Sequence, residues 1–380
     1  MRLCLIANRS IHTQRFTSKL LEMGHEVSLV GFGPAQVPLP RGVRLLDLPG
    51  ALPPANRGKM RWPLWAVAVR RAVRDQKPDV LHAHQVATGG WLGAAAGYHP
   101  FLVTAWGSDL MVGARRSRPQ RWLARWVLRK ADYVTCVSEG LAEVALGLGA
   151  RLDRLEVAPW GVDTEVYHPA EDRGALREEL GLGGRQVVLS VRSVKPVYNP
   201  LDIARAIPLV LQACPGALFI IRSHNSDPAL LAQFAEIVDA AGASASVRYV
   251  GDLAGERAIA DLYRAADVAL SVPSSDGTPS SVLEALACGA VPVVSDLPSL
   301  REWVGHEVEA LRVPVHDVEA LAASVIRLLS EEETRRALAV AGGRLVLRRA
   351  DSRVWMRRYE EIYEGLVSPN RLSTHEPAPS

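Results

Sequence analysis

The sequence predicts an α/β fold of two domains, each a parallel sheet covered by helices on both faces. Three observations carry this. The chain has 380 residues, too many for one ordinary core and comfortable for two. Short apolar runs alternate with amphipathic stretches, the pattern of strands buried on both faces and joined by crossover helices. The alternation breaks once, in loop chemistry around Pro159-Trp160-Gly161-Val162-Asp163 and the Pro-, Glu- and Asp-containing stretch 168–174, and then resumes.

In the first half the strands are expected at 3–7, 27–30, 80–81, 101–104 and 133–136, with a helix over 12–23 after the first. In the second half they are expected at 187–191, 217–221, 247–250, 268–272 and 291–294. Helices fall between them at 203–211, 230–240, 258–265 and 280–287. Closing helices are expected at 318–329, with Asp317 as N-cap, and at 331–341. The organisation is then an N-terminal domain over 1–165 and a C-terminal domain over 175–350. A last helix over 351–367 is expected to cross back onto the first domain. Residues 368–380 form a polar, Pro-containing tail expected to be disordered. Ligands of two such open sheets belong where the strands' carboxyl ends face each other across a cleft.

Composition narrows the class. Hydrophobic residues are 48% and charged residues 22%, the mix of a soluble protein with large cores. No uninterrupted apolar run reaches the roughly 18 residues of a membrane span. The N-terminus turns polar at Asn8, too early for a signal peptide's apolar region. Cys4, Cys136, Cys214 and Cys288 lie far apart, so they read as reduced thiols of a cytoplasmic protein, not as metal ligands or disulfides. Charge is divided unevenly. Residues 1–150 hold 20 Lys and Arg against 9 Asp and Glu, which leaves 24 against 32 for the remainder. One half therefore faces something anionic.

The most informative segment runs from Ser271 to Gly289. A strand ends, a loop holds Asp276 and Gly277, Thr278 suits an N-cap and Pro279 the first helical position. The N–H groups of Ser280 and Ser281, with the dipole's positive end, would make an anion site. Glu284, about one and a half turns further in, could grip vicinal hydroxyls such as those of a ribose. The same residues would also make an ordinary capped strand–loop–helix junction.

Asp276-x7-Glu284, followed by 285–294, resembles the E-x7-E signature of the retaining group 1 (family 4) glycosyltransferases with the GT-B fold of two Rossmann-like domains. Four further segments resemble that family in the right order. These are Gly24-His25-Glu26-Val27, the Val157–Asp163 linker with Tyr167-His168-Pro169, Leu189–Lys195, and Leu262–Val268. The resemblance implies that Asp276 contacts the donor sugar's hydroxyls. It implies that the backbone over Gly277, Thr278, Pro279, Ser280, Ser281 and Val282 holds the diphosphate, and that Glu284 binds the ribose. Arg192 and Lys195 would face the leaving diphosphate, Arg as a planar fork and Lys as a mobile point charge. The family's usual spacing puts its lysine where Val197 stands here, so Tyr198 or Asn199 could share the task. A solvated surface pair is the plain alternative. Arg222-Ser223-His224-Asn225 replaces the family's glycine-rich turn and has no assigned role.

Acceptor contacts are expected at the ends of the first domain's strands, from Ser10 and His12 and from Trp106, Gly107, Ser108 and Asp109. The family's His is replaced at Trp106, and its Asn in the linker at Trp160. His82 and His84 alternate along one strand. That spacing could suggest metal, but no third ligand is near in sequence and no metal or other cofactor is expected. Such an enzyme transfers a sugar from a UDP- or GDP-linked donor to a hydroxyl acceptor, lipid-linked in many relatives, in cell-surface glycan or glycolipid synthesis. Two basic, Trp-bearing stretches, 57–74 and 115–130, read either as a docking face for anionic membrane or as solvated faces whose tryptophans pack inward. No nucleic-acid motif accompanies the charge. A sugar-nucleotide epimerase, a phosphorylase or a catalytically silent relative acting as a scaffold are the competing readings.

Overall fold

The computed structural model describes residues 1–35, 37–46, 62–107, 110 and 117–368, the side chains of Trp62 and Pro63 apart. Ser108, Asp109, Arg57, Lys59, Arg61, Arg115, Arg116 and the tail beyond Ser368 lie outside the described residues. The chain divides into two compact units. One is Met1–Trp160 together with the chain from Val354 onward, and the other is Gly161–Arg353. The second unit takes in the whole loop after Trp160. Gly161 shows why the break sits there. Its φ is +70°, and a Cβ would lie 2.5 Å from the carbonyl oxygen of Ala350. That glycine lets the chain leaving at Val162 lie against the chain returning at Ala350–Ser352, with Val162 N–H donating to Ala350 O at 2.6 Å.

The first unit is a seven-stranded, all-parallel sheet in the order β3-β2-β1-β4-β5-β6-β7. Its strands are β1 (Arg2–Asn8), β2 (Glu26–Phe32), β3 (Arg44–Leu45), β4 (Val80–His84), β5 (Phe101–Ala105), β6 (Tyr133–Cys136) and β7 (Leu155–Val157). Among its helices are α1 (Ile11–Glu22), α2 (Trp62–Gln76), α3 (Trp91–Ala96), α4 (Arg118–Lys130) and α5 (Glu139–Gly147). Sequence periodicity missed the edge strands β3 and β7, which are two and three residues long and too short and too exposed to show a pattern.

The second unit is a six-stranded parallel sheet, β10-β9-β8-β11-β12-β13. Its elements run α6 (Arg173–Glu179), β8 (Val187–Ser190), α7 (Pro200–Ala213), β9 (Leu218–Arg222), α8 (Pro228–Ala240), β10 (Val247–Val250), α9 (Glu256–Ala265), β11 (Val268–Ser271), α10 (Ser280–Cys288), β12 (Val291–Ser295), α11 (Pro298–Arg301), β13 (Leu311–Val313), α12 (Val318–Ser330) and α13 (Glu332–Leu345). Asp317 caps α12 as expected, accepting from the Ala320 N–H at 2.8 Å. Asp267, one residue before β11, is a structural anchor. Its carboxylate accepts from Val187 N–H at 2.7 Å and from the guanidinium groups of Arg173 and Arg177.

Helix α14 (Ser352–Val367) returns to the first unit. Met356, Tyr359, Ile362, Tyr363 and Leu366, spaced as one face of a helix, are buried with Leu3, Leu5, Phe16 and Leu20. Arg358 clasps Glu156 bidentately at 2.6 and 2.7 Å. All four cysteines are buried and none is in a disulfide.

Candidate active site

In both sheets the strand order reverses beside the first strand of the unit, at β1/β4 and at β8/β11. Those switch points are where an open α/β sheet presents its crevice. In the second unit, Arg192 follows β8 and the loop of Asp276 follows β11. The two meet. Arg192 Nη1 donates to Asp276 Oδ2 at 3.2 Å and to Ser281 Oγ at 3.0 Å, and Nη2 reaches Asp276 Oδ1 at 3.5 Å. The guanidinium lies over the ring of Tyr198, 4.1 Å from its centroid. Burial works against the Arg192 charge, but Asp276 and Tyr198 outweigh it and hold its pKa above the ordinary value. A cation is thus fixed, flat and oriented, where a mobile lysine could not be.

Asn199 holds these loops together. It stands in the left-handed region (φ 49°) at the head of α7, a conformation asparagine tolerates better than most residues. Its Nδ2 donates to Val272 O and its Oδ1 accepts from Ser274 Oγ, both at 2.9 Å. Asn199 is therefore a brace between the β8 and β11 loops. Lys195 is half-buried at the start of the turn Pro196–Tyr198, and its ammonium pairs with no described residue.

The helix start differs from expectation. Helix α10 begins at Ser280, with Pro279 at the cap position and no side-chain cap, so Thr278 is not the N-cap. The Ser280 N–H is spent on Thr278 O at 2.9 Å, and that of Val282 on Pro279 O at 2.9 Å. Two of the amides expected to be open are thus engaged within the turn, and Ser281 contributes its hydroxyl to Arg192 instead. Pro279 is the physical reason: at φ −83° and ψ 66° it is the centre of an inverse γ-turn that closes the Ser280 N–H on Thr278 O. Gly277 N–H donates to Asp276 Oδ1 at 3.0 Å, which sets the carboxylate's orientation. Glu284 is only 7% exposed. The hydroxyl of Tyr263 on α9 is buried with no hydrogen-bond partner. Its pKa is pushed well up, by burial first and then by the Glu284 charge.

In the first unit, Ser10 caps α1 as expected through Thr13 N–H, and His12 sits in the first turn of α1. An aromatic box forms at the ends of β4 and β5. Trp106 and Trp160 meet edge-to-face at 4.7 Å, and His12 lies 5.8 and 6.0 Å from them. His84 lies 5.3 and 5.2 Å from the same two rings. Two of the positions at which this sequence departs from the family pattern, Trp106 and Trp160, are therefore in direct contact. Both nitrogens of His84 and the Nε1 of Trp106 are buried without hydrogen-bond partners among the described residues. His82 instead is fully used, bonded to Tyr363 OH at 2.8 Å and Thr104 Oγ1 at 2.6 Å. It belongs to the polar network that seats α14. Sequence spacing could not separate these two histidines, because their difference lies in what α14 brings.

Burial disfavours the charged form of both histidines. His82 lies well below its ordinary range, and His84, also repelled by His12, falls to about 3. The unfolded chain protonates its histidines near pH 6.5, so below that pH it takes up protons that the native chain refuses. Stability is expected to fall as pH drops from about 6.5 towards 3, by up to about 1.4 kcal/mol per pH unit per histidine. Thermal unfolding followed from pH 7 to 4.5 checks this. A His84→Phe variant should show a shallower decline, and identical slopes would contradict the assignment.

With this geometry in view, comparisons with known proteins are decisive. The domain described as Glycosyltransferase Family 4 matches residues 10–166, and that described as Glycosyl transferases group 1 matches residues 172–344. A D-inositol 3-phosphate glycosyltransferase of Xylanimonas cellulosilytica is 30% identical over 320 residues, covering 80% of this chain and 74% of that protein. This chain belongs to the group 1 glycosyltransferases. It is therefore a sugar-transferring enzyme of class EC 2.4. A D-inositol 3-phosphate glycosyltransferase of Saccharomonospora viridis is 29% identical over 330 residues, 80% of this chain and 76% of its own. Among solved structures, the sucrose-phosphate synthase of Thermosynechococcus elongatus matches with TM-score 0.81 at 19% identity, over 97% of this glycosyltransferase and all of that chain. The Anabaena protein HepE in complex with UDP and glucose matches with TM-score 0.78 at 17% identity, over 96% of this chain and all of that one. At those identities the two structures speak for the fold, a pair of Rossmann-like domains as in other GT-B glycosyltransferases.

Proposed function

We propose that this glycosyltransferase moves a sugar from a nucleoside-diphosphate sugar, UDP- or GDP-linked, to a hydroxyl acceptor with retention of anomeric configuration. The observation that carries this reading is the Arg192 fork, fixed by Asp276 and Ser281 beside the head of α10, with Glu284 on the same helix. Arg192 and Lys195 meet the charge that builds on the departing diphosphate, which is electrostatic stabilisation of the transition state. Asp276 keeps lone pairs beyond those given to Arg192 and receives the donor sugar's hydroxyls, while Glu284 holds the ribose. No protein nucleophile and no metal is needed, since the acceptor hydroxyl attacks from the face the diphosphate leaves. Asp276 and Glu284 act as binding groups, unlike the two carboxylates of a glycosidase. The acceptor meets the box of His12, Trp106 and Trp160 with Ser10, Gly107, Ser108 and Asp109. The test is release of UDP or GDP from a panel of nucleotide sugars, with product anomer read by NMR. Inverted product, or no turnover of any donor, overturns the reading.

The same reading places the acceptor on a lipid at an anionic membrane, in cell-surface glycan or glycolipid synthesis. Helix α4 carries Arg118, Arg121, Arg125, Arg129 and Lys130 and no acid, with Trp122 67% exposed. Helix α2 exposes Leu64 (69%) and Val67 (68%) beside Arg70, Arg71 and Arg74. Trp65 and Trp126 pack inward, so among the described rings of these two helices Trp122 is the one available to lipid. No helix among the described residues is long and apolar enough to cross a membrane, and surface attachment is the mode this pattern favours. Each basic residue near an anionic surface contributes about 1 kcal/mol. Co-sedimentation with anionic vesicles is expected at low salt and lost near 1 M, where the Debye length is about 3 Å. Protein in the supernatant under every condition would refute docking.

A further inference from the structure

Arg222, at the carboxyl end of β9, has a side chain with no polar partner among the described residues. Its Nε is buried without a hydrogen bond, and the guanidinium forms no ion pair with any described residue. An arginine left in that state calls for an explanation. Its position supplies one. Along β9, Leu218 and Ile220 face the core that contains Val191, Tyr263 and Leu283, while Phe219 and Ile221 face the opposite one. Alternation puts Arg222 on the first face, and its register partner Val250 packs there too. Ser190 pairs with Ile221, so Arg222 stands about 4.8 Å across from Val191, one residue before Arg192. Two further buried polar atoms on this face are orphans, the Tyr263 hydroxyl and the Ser271 hydroxyl at the end of β11.

We propose that Arg222 reads the nucleobase of the donor, selecting uracil or guanine over adenine and cytosine; this rests on the donor reading above. In the strand order β10-β9-β8-β11, the Asp276 loop follows β11, Arg192 follows β8, and Arg222 ends β9 on the far side. A donor with its sugar at Asp276 and its diphosphate at Arg192 brings its nucleoside end towards β9, on the face where Glu284 also lies. Arginine has five N–H donors and no acceptor. Guanine presents its O6 and N7 and uracil its carbonyl oxygens to it, whereas adenine and cytosine place an exocyclic amine, a donor, where guanine O6 and uracil O4 stand.

Calorimetry of the full-length protein with UDP, GDP, ADP and CDP tests this. The wild type is expected to bind UDP or GDP about tenfold to a hundredfold more tightly than ADP and CDP. R222A should erase that ratio while leaving ADP affinity intact, which also reports an intact fold. R222Q, which can both donate and accept, should shift preference towards ADP. An equal loss for all four nucleotides in R222A would place the arginine on the phosphates and overturn the inference, as would an unchanged ratio. Wild-type binding of none of the four would remove the donor reading itself, whereas binding of all four without a ratio would remove only the role of Arg222.

Discussion

Arg192→Ala is expected to lower turnover by about 10²–10³-fold, the usual cost of deleting one oriented donor aimed at developing charge, while weakening binding of the bare nucleoside far less. The reason is that the diphosphate acquires its full charge only as the sugar departs, so the interaction is stronger in the transition state than in the bound donor. Two features make Arg192 the larger contributor. It is held by Asp276, Ser281 and the Tyr198 ring, so little reorganisation is required when charge appears. Its removal also leaves the Asp276 carboxylate uncompensated beside an anionic leaving group. Asp276→Asn in the Arg192→Ala background should therefore recover part of the loss. Lys195→Ala should act more weakly, because that ammonium has no described partner fixing it. Single-turnover kinetics with the best donor reads both effects. Wild-type turnover in Arg192→Ala would refute the role, and a large effect confined to Lys195→Ala would reverse the ranking.

Glu284→Ala is expected to weaken nucleotide-sugar binding by about 1.5–3 kcal/mol, roughly ten- to 150-fold, as charge-assisted hydrogen bonds to a ribose are lost. The fold should survive. A carboxylate 7% exposed within the apolar core of α10 contributes little to stability, because removing it from water is costly. Binding and stability therefore separate: calorimetry should show the loss in Kd while the melting temperature holds or rises. Unchanged donor affinity would sink the assignment.

Helix α10 shows why the larger elements were legible in the sequence and their fine structure was not. Its strand–loop–helix outline follows from local rules: an apolar run, a loop with Asp276 and Gly277, a proline, and a glycine at the C-cap. Gly289 adopts φ +85° there, as such a position requires. The distribution of amide hydrogen bonds in its first turn does not follow from those rules. Thr278 is a good N-cap by composition, yet Pro279 tightens the turn and moves the cap by one residue. Likewise the partner of Arg192 was not readable, since Asp276 is 84 residues away and stands on a different loop, brought near by the pairing of β8 with β11.

The sequence by itself determined the two parallel-sheet units, the helix that returns at the C-terminus, and the identity of the residues in the Asp276–Glu284 segment. Hydrophobic period, caps and turn residues are local properties, and a buried parallel strand needs nothing more to be recognised. Only the tertiary structure decided which polar groups pair. It made His82 a seat for α14 and left His84 without a partner two residues along the same strand. It made Asn199 a brace between two loops, brought Trp106 and Trp160 into one contact, and left Arg222 at a strand end with no ion pair among the described residues. Those outcomes depend on hydrogen-bond geometry at about 3 Å between groups distant in the chain, and no spacing along the chain encodes that distance.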